Sequence, residues 1–155
     1  MTVLRLSVSG TGPAPAVPPT LVQQERLGPY VRRRRFIMNM GMPPAHGNLT
    51  INGLSYDPAR VDAQVERGDT ELWEVINASD HPHPFHVHAT QFRVLSRSNR
   101  PIPPHERGRK DTVLAWPGDI IELLVRFDHY PGMYVFHCHN LEHEDAGMMA
   151  TLEVV

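Results

Sequence analysis

Short apolar segments separated by turn signals are the feature that most restricts the fold of this 155-residue chain. Their residues alternate between apolar and polar, or form brief runs rich in β-branched and aromatic side chains, as strands do. Several short strands at regular spacing are typical of a β-sandwich or β-barrel, so the predicted fold class is all-β. The predicted strands lie at 34–40, 48–53, 70–79, 91–97, 110–115, 119–127, 132–138 and 149–155.

The beginning of the chain differs from the rest. Residues 3–9 alternate and predict one further strand. The proline-rich stretch 10–19 that follows predicts an extended linker, because proline cannot donate a backbone hydrogen bond. We therefore divide the chain into 1–28, an N-terminal strand with its linker, and 29–155, a single folded domain. The only helix expected is a turn or two at 140–145, before the last strand.

Composition excludes some classes of protein. A net charge of −2 argues against a nucleic-acid-binding protein, and the run Arg32 to Arg35 is expected to be a solvated strand edge or face. The single cysteine, Cys138, excludes an intrachain disulfide. The N-terminus lacks the charged start and long apolar run of a signal peptide, and no apolar stretch is long enough to span a membrane. The chain is thus expected to be soluble and not to bind a membrane.

The segment 136–149, FHCHNLEHEDAGMM, gathers three imidazoles, the only thiol and a thioether. Two histidines, one cysteine thiolate and a weak axial methionine form the trigonal site of a blue-copper centre. Cys138, His143 and Met148 would supply three of those four ligands. The fourth is expected from elsewhere in the chain.

Four further histidines crowd into the segment 80–92, DHPHPFHVHATQF. Residues two apart on a strand point to the same face, so His86 and His88 can reach one site, as can His137 and His139. Cys138, between the latter two, must point the other way. Two sites are therefore predicted, and the few covalent bonds from the thiolate to its neighbours offer electrons a short route between them.

The remaining histidines have simpler interpretations. His46, His105 and His129 are isolated, and a lone histidine is more often solvated or hydrogen-bonded than a ligand. His81 is expected to be a loop residue, with a role as a hydrogen-bond donor to the metal ligands as the alternative. Zinc is the rival metal, because cysteine and histidine also bind zinc. The methionine and the alternating geometry favour copper.

Two motifs resemble those of one family. Residues 83–88, HPFHVH, resemble the HPxHxH motif of multicopper oxidases, and residues 137–148, HCHNLEHEDAGM, resemble their HCHxxxHxxxxM motif. The likeness runs from about Ile51 to the C-terminus and is to the C-terminal cupredoxin domain of bacterial laccase-like and cuprous oxidase-like members. It implies a Greek-key cupredoxin β-sandwich. Ala89, where a glycine is usual after the HxH, is a minor departure.

The resemblance implies copper as the cofactor and assigns ligands by position. His83, Cys138 and His143 would bind the type 1 copper with Met148 axial, His86 the type 2 copper, and His88, His137 and His139 the type 3 pair. Glu144 resembles the acidic residue that supplies protons to bound oxygen in such enzymes, a role that suits general acid chemistry. An exposed loop carboxylate is the simpler alternative.

The function implied is that of a laccase-like oxidase. Its type 1 copper would take single electrons from a phenol, an aromatic amine or a metal ion, and Cys138 would pass them to a cluster that reduces oxygen to water. The family's cluster needs four HxH elements, and this chain has two. A second cupredoxin domain or chain, or a second copy in a homo-oligomer, is expected to supply the others.

Two alternatives remain open at this stage. One is a single-domain blue-copper electron carrier that uses the type 1 site only, and the other, weaker one is a copper-storage or interaction domain. Analogy with the family implies a periplasmic or secreted location, but the segment carries no export signal, so the compartment stays unknown.

Overall fold

The computed structural model describes residues 4–19, 25–41 and 48–155, and almost all of its regular structure is β-strand. One short helix precedes the last strand, and a single 3-10 turn spans Pro104–Glu106. The elements are β1 (Arg32–Asn39), β2 (Thr50–Ile51), β3 (Ala63–Val65), β4 (Thr70–Asn77), β5 (His83–Val87), β6 (Phe92–Arg97), β7 (Arg109–Lys110), β8 (Thr112–Ala115), β9 (Ile120–Arg126), β10 (Gly132–Cys138), α1 (Leu141–Asp145) and β11 (Met149–Val154).

The strands form two sheets. One has the order β2-β1-β4-β9-β6-β7 and the other β3-β11-β10-β5-β8. Consecutive strands repeatedly change sheet, as they do from β4 to β5 and from β9 to β10, which is the behaviour of a Greek-key sandwich. The predicted all-β cupredoxin sandwich is thereby confirmed.

Aromatic side chains from both sheets form the centre of the core. The ring centroid of Phe36 on β1 lies 4.6 Å from that of Phe136 on β10, and Trp73 on β4 lies 5.3 Å from Phe136. Phe85 on β5 packs against the same rings, 5.9 Å from Phe136. These tilted contacts have the spacing that aromatic pairs prefer. They hold β5 and β10, which carry half of the predicted ligands, firmly against the opposite sheet.

The arginine run has buried partners that the sequence did not reveal. β1 is parallel to β4, so Arg34 Nε reaches Glu71 Oε2 at 2.6 Å and Arg35 Nε reaches Glu74 Oε1 at 2.5 Å. The hydrogen bond from Arg33 lowers the pKa of Glu74, a carboxyl that is largely buried. Arg32, Arg33 and Arg35 are exposed, so the run is the solvated face that the sequence predicts. The guanidinium groups of Arg33, Arg34 and Arg35 also neutralise glutamates of the neighbouring strand.

The predicted N-terminal strand is absent. Residues 4–9 form no strand, and Leu4, Leu6 and Val8 are 74%, 83% and 95% exposed. In the described part of the chain no other strand pairs with this segment, so its alternating apolar residues have no sheet or core to face. Residues 1–3 lie outside the described residues. The division of the chain at residue 28 stays a prediction.

Two local predictions hold. Asn52 and Gly53 have φ angles of 55° and 78°, as a two-residue turn with both central residues in the left-handed region requires. Helix α1 begins directly after Asn140, within the predicted segment. Among the described residues, no helix is both long and apolar enough to cross a membrane.

A buried ion pair gives a test of what stabilises the sandwich. Arg97 Nη1 lies 3.0 Å from Asp119 Oδ2, with both side chains almost fully buried, and the same oxygen accepts the N–H of Trp116. Asp119→Asn is expected to lower the free energy of unfolding by about 2 kcal/mol, because it removes a buried charge that Arg97 and Arg100 share, while Glu106 still pairs with Arg97. Urea denaturation at neutral pH measures this loss.

The matched control is Asp128→Asn. Asp128 pairs with Arg126 at 3.1 Å, but both side chains are more than a third exposed. Removing this pair is expected to change the free energy of unfolding by less than about 1 kcal/mol. Equal losses in the two variants would show that burial does not set the contribution of the Arg97 pair.

Candidate metal centre

The pairing of β5 with β10 places the predicted ligands on two faces of one sheet. His86 is opposite His137, and Phe85 is opposite Cys138. Because side chains alternate along a strand, Cys138 points into the core with Phe85, and His86 and His137 point outward. His83, two residues before Phe85, also faces inward and is fully buried. The predicted separation of Cys138 from its two flanking histidines is what the structure has.

Three donor atoms converge on the inner face, in what we call the inner group: His83, Cys138 and His143. Cys138 Sγ lies 3.4 Å from His83 Nδ1 and 3.5 Å from His143 Nδ1, and the two nitrogens are 3.1 Å apart. A point equidistant from these atoms lies about 2 Å from each, close to the bond length between imidazole nitrogen and a transition metal. Two imidazoles and a thiolate in a triangle suit copper.

Met148 closes the loop that carries His143. Cys138 N–H donates to Met148 O at 3.0 Å, and Met148 N–H donates to His143 O at 2.9 Å. The Met148 side chain is fully buried, whereas that of Leu141 on the same loop is 68% exposed. The backbone therefore holds Met148 next to Cys138 and His143, and its part as a copper ligand stays a prediction.

The outer face carries a second convergence, which we call the outer group: His86, His88 and His137. Their ring nitrogens offer one ligand atom each within 4.8 Å of one another, and His88 Nε2 lies 3.0 Å from His137 Nε2. The ring of His139 lies beside this group, with its centroid 5.2 Å from that of His86 and 5.3 Å from that of His137. All four histidines predicted to share a site thus lie together.

Hydrogen bonds orient the rings of the outer group. His86 Nδ1 lies 2.9 Å from the carbonyl oxygen of Asp111, which can only accept, so Nδ1 carries the proton. His137 Nδ1 likewise lies 3.0 Å from Cys138 O. In both residues Nε2 is left with its lone pair. A metal-binding histidine is held in this way when its other nitrogen donates to a carbonyl.

Glu144 approaches the outer group from helix α1. Its Oε2 lies 3.3 Å from His137 Nδ1, and a third of its side chain is exposed. The carboxylate thus contacts both a predicted ligand and solvent. This position is compatible with the predicted proton relay.

Burial sets the protonation of the donors. It lowers the pKa of His83 to about 4 and raises that of the Cys138 thiol to about 11. It also lowers the pKa values of His86, His88 and His143. Neutral imidazoles are the form that binds a metal, whereas the thiol must lose its proton when a metal binds. The residues therefore fit a copper ion, and its binding is expected to release a proton.

The depressed pKa of His83 predicts a pH dependence of stability in the metal-free protein. Between pH 6.5 and 4 the unfolded chain binds a proton at His83 and the folded protein does not, so acid favours unfolding. We expect the urea midpoint, measured with a chelator present, to fall from pH 7 to pH 5. His83→Gln removes the titrating group, so the urea midpoint of this variant is expected to fall less steeply over the same pH range. Equal slopes would contradict this origin of the acid sensitivity.

The isolated histidines lie outside both groups. His105 and His129 are largely exposed beside the carboxylates of Glu106 and Asp128, in keeping with the simpler interpretation. His46 falls outside the described residues. The ring of His81 is half exposed, with Nδ1 2.7 Å from an Asp80 oxygen.

A cavity of about 340 Å³ opens beside the outer group. His86 and His88 line it together with His129 and three arginines, Arg93, Arg109 and Arg126. The outer group is thus accessible from a polar, solvent-connected space, whereas the inner group is buried at His83 and Cys138 and partly exposed at His143.

Some supporting residues were not anticipated. Thr112 Oγ1 lies 2.9 Å from His86 Nδ1, and Ser79 Oγ lies 2.7 Å from His83 Nε2. The one local signal was the Asn77-Ala78-Ser79 segment, which forms an Asx turn through a 3.0 Å bond from Ser79 N–H to Asn77 Oδ1. That signal predicts a turn but not its contact with a ligand.

Comparisons with known proteins agree with this geometry. A family profile described as multicopper oxidase matches residues 17–155. The chain is 44% identical over 111 residues to the multicopper oxidase mco of Staphylococcus haemolyticus, covering 69% of this chain and 25% of that protein. It is 37% identical over 154 residues to a laccase of Bacillus subtilis, covering 86% of this chain and 29% of that protein.

A solved structure of a multicopper oxidase from Campylobacter jejuni, described as a metallo-oxidase, superposes with a TM-score of 0.75 and 34% identity. That match covers 83% of this chain and 31% of the other. The chain spans about a quarter to a third of the length of these relatives. With the profile covering most of the chain and both donor groups assembled, the chain belongs to the multicopper oxidase family, whose metal is copper.

Proposed function

We propose that this chain is the part of a laccase-like oxidase that takes up electrons and carries half of the oxygen-reducing cluster. The inner group, His83, Cys138 and His143, would hold the type 1 copper together with Met148. His86 would hold the type 2 copper, and His88, His137 and His139 would hold the type 3 pair. When bound, the copper ions supply the one-electron redox chemistry that joins oxidation of a phenol-like or metal-ion donor to reduction of oxygen.

The observation that carries this proposal is that two consecutive residues of β10 belong to different donor groups. Cys138 Sγ belongs to the inner group and His137 Nε2 to the outer group. The connection runs through the backbone between them and is supplemented by the 3.0 Å contact of His137 Nδ1 with Cys138 O. A buried thiolate and an outward imidazole on adjacent residues form a short route for electrons through the sheet.

The outer group needs a partner to complete it. His88 and His139 are exposed, and the chain offers two of the four HxH elements that the family's cluster uses. We propose that a second cupredoxin domain or chain, or a second copy of this chain, covers this face and supplies the others. A symmetric pair would bring two such halves together about a two-fold axis.

Glu144 is proposed to deliver protons to the cluster. Its carboxylate contacts His137 at 3.3 Å while remaining a third exposed, so it can exchange protons with solvent beside the place where oxygen is reduced.

The alternative function, a blue-copper carrier, has less support. A carrier needs the inner group alone, and nothing in its function requires four histidines to converge on the opposite face. Here His88 and His137 nitrogens lie 3.0 Å apart, and backbone carbonyls orient His86 and His137.

Copper loading of the purified chain tests the proposed function. Copper per chain, visible absorption, particle size in solution and oxygen consumption with a phenolic donor are measured on one preparation. We expect a blue protein, with oxygen consumption confined to assemblies that bind more than one copper per chain. A colourless copper-loaded protein would contradict the type 1 site. If the protein is a blue monomer with one copper per chain, and no species in the preparation consumes oxygen, the carrier function would be favoured.

Met148→Leu tests the axial ligand. The substitution conserves volume in a fully buried position and removes the sulfur, so the fold should persist. We expect the blue colour to remain and the reduction potential of the copper to rise, because the axial ligand tunes it. Protein-film voltammetry measures the shift, with Met149→Leu as the neighbouring control. An unchanged potential in Met148→Leu would show that this methionine is not the axial ligand.

A further inference from the structure

A hydrogen-bonded chain runs from the end of β4 to the first residue of β5. Ser79 Oγ lies 2.7 Å from His83 Nε2 and 2.8 Å from Asn77 Oδ1. Asn77 is fully buried, and its Nδ2 donates to His81 O at 2.7 Å and to Ala115 O at 2.9 Å. A buried network of this kind is rigid when every member is satisfied.

The protons in this network can be assigned from its donors and acceptors. Two carbonyl oxygens contact Asn77 Nδ2, so the amide orientation is fixed and Oδ1 must be an acceptor. Oδ1 accepts Ser79 N–H at 3.0 Å and can accept Ser79 Oγ–H at 2.8 Å. The carbonyl oxygen of His81, 3.1 Å from Ser79 Oγ, is a second acceptor for the same hydroxyl proton. Neither oxygen can donate, so Ser79 Oγ gives its one proton to one of them and accepts from His83, and His83 Nε2 therefore carries the proton.

This tautomer determines which nitrogen of His83 can bind a metal. With its proton on Nε2, the ring turns an unprotonated Nδ1 toward Cys138 Sγ at 3.4 Å and toward His143 Nδ1 at 3.1 Å. The hydrogen bond at Nε2 fixes the ring plane and increases the basicity of Nδ1, as hydrogen-bond partners of metal-binding histidines do.

We propose that Ser79, held by Asn77, is a positioning residue of the type 1 copper site that fixes the tautomer and orientation of His83. The inference rests on the proposed type 1 site. A more basic nitrogen favours the oxidised copper ion, so Ser79 strengthens Cu(II) binding and lowers the reduction potential of the copper.

Ser79→Ala removes the acceptor and keeps the backbone. We expect it to remain blue, because Cys138 is retained, with Cu(II) affinity reduced roughly 10-fold to 100-fold and a higher reduction potential. Ser79→Thr keeps the hydroxyl and is expected to restore most of both values. Chelator competition measures the affinity, and voltammetry measures the potential.

The matched control is Ser96→Ala. The hydroxyl of Ser96 donates to Glu122 at 2.8 Å on the other sheet, so its loss should leave copper affinity and potential unchanged. An affinity and potential in Ser79→Ala equal to those of the wild type would overturn the proposal. Equal impairment of Ser79→Ala and Ser79→Thr would also overturn it.

A measurement on the metal-free wild type is independent of how the variants fold. The nitrogen-15 shifts of His83 are expected to show a protonated Nε2 and an unprotonated Nδ1, and the opposite tautomer would contradict the role of Ser79. A wild type that never turns blue would instead contradict the proposed function.

Discussion

Replacing Cys138 with serine is expected to abolish the blue absorption of the copper-loaded protein. The intense band is a thiolate-to-copper transition, and Cys138 is the only cysteine in this chain and so the only source of a thiolate. Serine offers a harder oxygen donor that stays protonated at neutral pH, and copper sites of this kind depend on a soft thiolate. The electron route through residue 138 is expected to be lost with the colour.

The fold should tolerate this substitution. Cys138 is fully buried and packs as a small hydrophobic residue opposite Phe85, and serine has nearly the same size. Circular dichroism and the urea midpoint check that the variant is folded before copper is added. Loss of colour in a folded Cys138→Ser protein that still binds some copper would support the assignment. Retained blue colour would refute it.

Both donor groups could be predicted from the sequence because their residues lie in two compact motifs, 83–88 and 137–148. Period-two alternation separates Cys138 from His137 and His139, and the structure has them on opposite faces. The inner group also required His83, some 55 residues from Cys138, which periodicity could not supply and which came from the resemblance to a family motif.

What could not be predicted depends on contacts between distant strands. Ser79 precedes His83 by four residues, but it contacts the ring only because Asn77 holds it, and Asn77 is itself bound to Ala115 O of the distant strand β8. Arg34 finds Glu71 only because β1 and β4 run parallel, a pairing that no local pattern indicates. The N-terminal alternation at residues 4–9 was misleading for the same reason, since a strand forms only where another strand accepts its hydrogen bonds.

Replacing His86 with alanine is expected to remove oxidase activity from any assembly that has it, while the blue colour remains. His86 is central to the outer group: it is opposite His137, and its ring lies within 5.3 Å of those of His88, His137 and His139. It has no contact with the inner group, from which the sheet separates it. Removing a residue that hydrogen-bonds to a metal ligand lowers metal affinity or activity about 10-fold to 100-fold. Removing the ligand itself should therefore lower oxidase activity roughly 100-fold or more.

The experiment follows oxygen consumption, copper content and the electron paramagnetic resonance spectrum of the active assembly. In His86→Ala the type 2 signal should be lost and the type 1 signal kept. His129→Ala is the matched control, because His129 lines the same cavity and is largely exposed but belongs to neither donor group. It should retain both signals and its activity.

The pattern across these variants separates the two proposed sites better than either variant alone. Cys138→Ser is expected to lose colour and activity together, and His86→Ala to lose activity alone. This asymmetry follows from β10, because Cys138 belongs to the inner group and His137 to the outer group, so that in the proposed function electrons would enter on one face and leave on the other. If His86→Ala also bleached the protein, the two groups would be one coupled site, and the separation by alternating side chains would have no functional meaning. If it kept full activity, oxygen reduction would have to occur elsewhere in the assembly.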